Sequence, residues 1–127
     1  MRQRVIDTVS AMTAALERGD IDTVMSFYLD DAVVAFEPGA SAFGEQQLRA
    51  GFAAFAAVRP DFRYDSGHEV MVAGDIAVHI APWTMTGTAP DGTPIAQQGL
   101  SVATLRRQAD DSWKIALDNP FGAHLIP

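Results

Sequence analysis

The second half of the chain constrains the fold more than any other feature. Phe62 to Ala73, Ile76 to Thr88, Ile95 to Arg107 and Trp113 to Asn119 are rich in Val, Ile, Thr and aromatic residues, as strands are. Short turns at Gly74-Asp75, Asp91-Gly92 and Asp110-Asp111-Ser112 separate them. A parallel crossover needs a dozen or more residues, so four strands joined this closely form an antiparallel meander.

The first half is helical in pattern. Val5, Val9, Met12 and Leu16 recur at i, i+4, i+7 and i+11, one face of an α-helix. Gly19 stops that helix and Asp20 caps a second, whose stripe is Ile21, Val24, Met25 and Tyr28. Asp30-Asp31 is expected in the turn that ends it. Ala32 to Phe36 reads as a short strand, broken at Glu37-Pro38-Gly39, with a loop running on to Gly44. A third helix is expected from about Glu45 to Val58, with Leu48, Phe52 and Phe55 on one side and Pro60 beyond its end. The expected fold class is therefore α+β. Three N-terminal helices cover one face of a single curved antiparallel sheet, leaving a cone-shaped pocket, in one domain spanning 1–127.

Composition removes several function classes. The net charge of −7 opposes a nucleic-acid partner, and Arg106-Arg107 is the sole adjacent basic pair. The chain has no cysteine, which removes thiol chemistry and fits a reducing cytoplasm. Its first residues lack the apolar stretch of a signal peptide. No apolar run approaches the roughly 20 residues that span a bilayer. Neither His-x-x-x-His nor Glu-x-x-His occurs, so no metal site is expected.

Three stretches carry a family resemblance: Arg18-Gly19-Asp20-Ile21-Asp22, Phe27 to Val33, and Pro38-Gly39 with Gly44. With the closing Ser112-Trp113-Lys114-Ile115, they resemble the nuclear-transport-factor-2-like superfamily, within it the SnoaL-like and ketosteroid-isomerase-like bacterial proteins. The resemblance covers nearly the whole chain. It implies the same cystatin-like cone, and it leaves function open, because that fold hosts isomerases, cyclases, hydrolases, dehydratases and non-catalytic adaptors. Ketosteroid isomerase itself uses a carboxylate base with a tyrosine and a protonated aspartic acid as oxyanion hole. In register, the tyrosine falls on Met12 and the oxyanion aspartate near Ala103. The base falls at Glu37 before Pro38, with Phe36 competing for the position. Losing one oxyanion donor costs about 100- to 1000-fold in rate, so steroid isomerisation by that mechanism is rejected.

The remaining candidates are weighed residue by residue. Asp118 stands in an otherwise apolar strand, where aspartate is depleted. It is either a base inside the cavity, on the same parity as Ala116, or the partner of an arginine or a frayed end before Pro120. Glu37 is either a proton-shuttling carboxylate at the pocket mouth or a solvated turn residue. Tyr28 either presents its hydroxyl to the pocket in place of Met12 or packs in the core with a wet tip. Gln97 and Ser101 lie four apart on one strand face, suited to orienting a substrate or else facing solvent. Met12, Phe36, Phe52 and Phe55 line the pocket in the enzymatic reading and plug it in the other. His79 and Trp83 share a face and, opposing Val78 and Ile80, are expected on the outer side of the sheet at a homodimer interface, the alternative being that they line the pocket.

The leading expectation is a cofactor-independent acid–base enzyme of isomerase, cyclase or hydrolase type acting on a small, mainly apolar molecule, with Asp118, Glu37 and Tyr28 as its chemistry. The alternative is a non-catalytic dimeric ligand-binding or association module.

Overall fold

A computed structural model describes residues 1–126. Helix α1 spans Arg2–Arg18, α2 Ile21–Ser26 and α3 Glu45–Ala56. The strands are β1 Tyr28–Glu37, β2 Ala40–Phe43, β3 Asp61–Arg63, β4 Glu69–Ala73, β5 Ile76–Thr88, β6 Pro94–Arg107 and β7 Trp113–Asn119. They form one sheet in the order β2-β1-β7-β6-β5-β3, with β4 also paired to β5. Three helices on one side of a curved sheet is the expected α+β architecture. No helix among the described residues is long and apolar enough to cross a membrane.

Local chemistry explains the helical corner. Val5, Val9, Met12 and Leu16 are all buried under α1. Gly19 closes the helix at φ 74°, its amide donating to Leu16 O while that of Asp20 donates to Ala15 O. The Asp20 carboxylate then accepts from the Thr23 amide at 3.3 Å and the Thr23 hydroxyl at 2.6 Å, starting α2.

Three expectations need correction. Tyr28 does not belong to the second helix, and Asp30-Asp31 lies within β1 rather than in a turn. Tyr28, Ala32 and Val34 are buried, a strand spacing that the sequence superimposes on the helical one. Pairing decides between them, for β1 runs parallel to β7 while the other paired strands are antiparallel. The stretch before Gly44 is not a loop, because Glu37-Pro38-Gly39 turns into the short β2. Finally, Phe62 to Ala73 is two strands. Asp65-Ser66-Gly67 makes a turn, closed by the Gly67 amide donating to Tyr64 O at 3.0 Å. That detour carries Tyr64 and His68 out of the sheet and toward α1.

The helix-facing side of β5 carries Ala77, His79, Ala81, Trp83 and Met85, all buried. His79 and Trp83 are thus on the concave face, not the outer one. Alternation defines two faces but does not say which one the helices cover. Here both are apolar, and the small Ala77 and Ala81 leave room for the large rings between them. On the convex side a row of paired residues runs through Phe43, Val33, Leu117, Thr104, Val78 and Met71. Phe43, Leu117 and Met71 in that row are exposed.

A bulge decides the orientation of Asp118. Leu105 pairs with Ile115 but the adjacent Thr104 pairs with Leu117, so Ala116 is an extra residue in β7. The expected shared parity of Ala116 and Asp118 is therefore incorrect. Ile115 and Asp118 both point inward, three residues apart, while Leu117 points out. A regular strand would have turned Asp118 to solvent.

Candidate functional site

The inward carboxyl of Asp118 lies on the wall of a cavity of about 60 Å³ between α1, α3 and the sheet. Its Oδ2 accepts a hydrogen bond from the Tyr28 hydroxyl at 2.6 Å, and both residues are buried. Desolvation pushes the Asp118 carboxyl above its ordinary value, opposed by the Tyr28 hydrogen bond, which favours the charged form. The Tyr28 hydroxyl is raised well above 10, first by burial and then by the neighbouring Asp118 charge. The pair is a proton acceptor held by one neutral donor, with Asp118 Oδ1 left for something else. No arginine is among its partners, and the carboxyl lies ahead of the strand end rather than in a frayed tip.

Two further hydroxyls share the wall. Tyr64, which sequence reasoning passed over, lines the cavity with its oxygen 3.2 Å from Thr13 Oγ1. Thr13 in turn donates to Val9 O at 2.9 Å. A threonine hydroxyl has one proton, so Tyr64 is the donor to Thr13. Burial raises the Tyr64 hydroxyl too. Ser101 lies on β6 and is buried at the cavity. The signal that could have located Tyr64 was the Asp65-Ser66-Gly67 turn that follows it.

The remaining lining is aromatic and aliphatic. Met12, Phe36, Phe52 and Phe55 are all part of it. They leave a hollow, though a small one. Phe36, Phe55 and Trp83 also line a wider outer groove of about 490 Å³, together with Glu37 and Gln97. These three rings form a collar between the inner cavity and the groove. Glu37 and Gln97 are exposed on the far side of it, away from Asp118. Gln97 and Ser101 share a strand face, but β6 extends beyond the collar, so only Ser101 is inside.

Glycines seat the collar. The Phe36 ring lies where a Cβ on Gly51 would be, with Cε2 the nearest atom. A Cβ on Gly99 would lie 2.7 Å from Pro120 O and 2.8 Å from Trp83 Cζ2. Trp83 is fixed by its indole N–H, which donates to Pro120 O at 2.9 Å. Gly99→Ala will therefore displace Trp83, lowering stability by about 1–3 kcal/mol. Denaturant unfolding measures the loss, and an unshifted tryptophan emission maximum would show the ring had not moved.

His79 has a different setting. It is fully buried, with Nε2 2.8 Å from Nδ1 of His68 and no partner for its own Nδ1. Burial and the facing His68 lower its pKa to about 4. Among the described residues, no three His, Asp or Glu side chains come together to hold a metal ion.

Residues 9–114 match the family model of the SnoaL-like domain. The chain belongs to that family. Solved structures from several families superpose on the chain. A nuclear transport factor 2-like superfamily protein from Salmonella enterica superposes with a TM-score of 0.83 at 14% identity, covering 92% of this chain and 87% of that one. A ketosteroid isomerase-like protein from Erwinia carotovora gives 0.73 at 25% identity, covering 89% and 88%. The association domain of CaMKII from C. elegans gives 0.75 at 14% identity, covering 93% and 92%. No curated protein sequence matches. The SnoaL-like fold thus joins proteins with very different names, and the side chains in the cavity must carry any functional argument.

Proposed function

We propose that this SnoaL-like domain is a cofactor-independent acid–base enzyme of isomerase, cyclase or hydrolase type, acting on a small, mainly apolar molecule. The observation that carries this reading is the desolvated Asp118 carboxyl, bonded to Tyr28 at 2.6 Å on a cavity wall. A carboxylate with a raised pKa is a better proton acceptor than an exposed one, and holds the proton it has taken more firmly until the substrate takes it back. Tyr28 holds Oδ2 and orients the group, so Oδ1 takes the proton. Ser101 and Tyr64 position the polar end of the substrate, and the collar keeps water away. Glu37, exposed beyond the collar, is assigned no proton.

Incubating the protein with pooled apolar metabolites, followed by mass spectrometry, tests this. At least one compound should be converted by wild type and spared by Asp118→Asn. Conversion that survives in the variant would remove Asp118 from the chemistry.

A second reading rests on a separate observation. The convex sheet face exposes Phe43, Met71, Ile76 and Leu117, and two structural likenesses are to association domains. A homodimer formed through this face fits either reading, and in the purely associative one the cavity is incidental. Light scattering should give a dimer mass for wild type and a monomer mass for Leu117→Asp. A wild-type monomer at micromolar concentration would contradict it.

A further inference from the structure

The hydrogen-bond inventory of the cavity restricts what can sit there. Tyr28 spends its proton on Asp118, and Tyr64 spends its proton on Thr13. What these groups still present to the hollow is lone pairs: Asp118 Oδ1 and the two phenol oxygens. Ser101 can act in either role. The polar wall is therefore rich in acceptors and poor in donors. A ketone or ester oxygen would meet acceptors and leave buried groups unpaired, which is strongly penalised. A carboxylate would likewise meet acceptors and find too few donors for its two oxygens. An alkylammonium would be stripped of water behind an aromatic collar, and that costs several kcal/mol per ion.

Size gives the second restriction. At about 60 Å³ the cavity is less than half the size of an engineered apolar cavity of about 150 Å³ that binds benzene. The inner part holds a hydroxyl and a few carbons. A longer chain reaches the outer groove past Phe36, Phe55 and Trp83, which line both spaces.

We propose that the cavity takes the hydroxyl end of a slender, uncharged, otherwise apolar alcohol. Its hydroxyl donates to Asp118 Oδ1, and its chain threads the collar toward Gln97. This rests on the acid–base reading for its interest but not for its truth, because it concerns binding alone.

Thermal shift and calorimetric titration with 1-hexanol, 2-hexanone, hexanoate, hexylammonium and phenol test it. 1-Hexanol should bind saturably, at least about tenfold more tightly than any of the others. Asp118→Asn places an N–H donor in the wall and should narrow or reverse the preference over 2-hexanone. Should that variant fail to fold, wild type is titrated with methyl pentyl ether, which keeps the oxygen but has no proton for Asp118 Oδ1 and should bind at least about tenfold more weakly than 1-hexanol. Equal binding of the ether overturns the inference. Equal or tighter binding of the ketone, carboxylate, amine or phenol overturns the inference, as does silence of all five probes. Alcohol binding without any Asp118-dependent conversion would sink the catalytic reading and leave this one standing. Conversion of a carbonyl compound without alcohol preference would do the reverse.

Discussion

Asp118→Asn will fold, melt at a higher temperature than wild type at neutral pH, and lose turnover by about 100- to 10,000-fold. The two effects have one cause. Burial raises the folded-state pKa of Asp118 above its ordinary 3.8. The unfolded chain therefore ionises first as pH rises, and stability is lost between 3.8 and the folded value. Above that folded value the wild type carries the whole penalty. Asparagine keeps an acceptor for the Tyr28 hydroxyl at the same place and removes the charge. The gap between the two melting curves should close as pH falls toward 3.8. A variant less stable than wild type at pH 7 would mean that the carboxylate is held by favourable contacts rather than strained by burial. Gain of stability with loss of function is the expected mark of a group kept for chemistry.

The second large effect has the opposite sign in pH. His79 is buried beside His68, and its folded pKa of about 4 lies below the ordinary 6.5. The unfolded chain takes up the proton first as pH falls through 6.5, so stability declines until about pH 4. The steepest slope from one such group is about 1.4 kcal/mol per pH unit. Nothing nearby rescues the charged form: His68 faces it at 2.8 Å, and the guanidinium of Arg2 donates to His68 O at 2.9 Å. His68 is itself lowered, first by burial and then by Arg2. His79→Gln keeps a hydrogen-bonding partner for His68 and cannot take a proton. Urea midpoints measured from pH 7 to pH 4.5 should fall steeply for wild type and much less for the variant. Parallel decline would show that other groups drive acid unfolding.

Much of this molecule was legible in its sequence, for identifiable reasons. The meander of β5, β6 and β7 follows from turns too short for any crossover, and the α1–α2 corner from the chemistry of Gly19 and Asp20. Asp118 stood out because an acid is rare in an apolar strand. Features set by distant pairing were not legible. Tyr28 fits a helical stripe and a strand equally well, and its place in β1 depends on β7, far along the chain. His79 and Trp83 were expected on the outer face and lie on the concave one, because both sides of β5 are apolar and only the helices choose between them. The bulge at Ala116 is invisible locally, yet without it Asp118 would face solvent. Tyr64 enters the cavity only because the edge strand breaks into β3 and β4. Gln97 obeyed the alternation rule and still fell outside, since a curved strand can begin beyond a pocket and end inside it.

Carbon-13 NMR titration of the Asp118 carboxyl tests the central idea most directly: a desolvated acid supported by a single phenolic donor. The midpoint should lie above the ordinary aspartate value of 3.8 and move higher still in Tyr28→Phe, which removes that donor. A midpoint at or below 3.8, unmoved by the loss of Tyr28, would contradict the account.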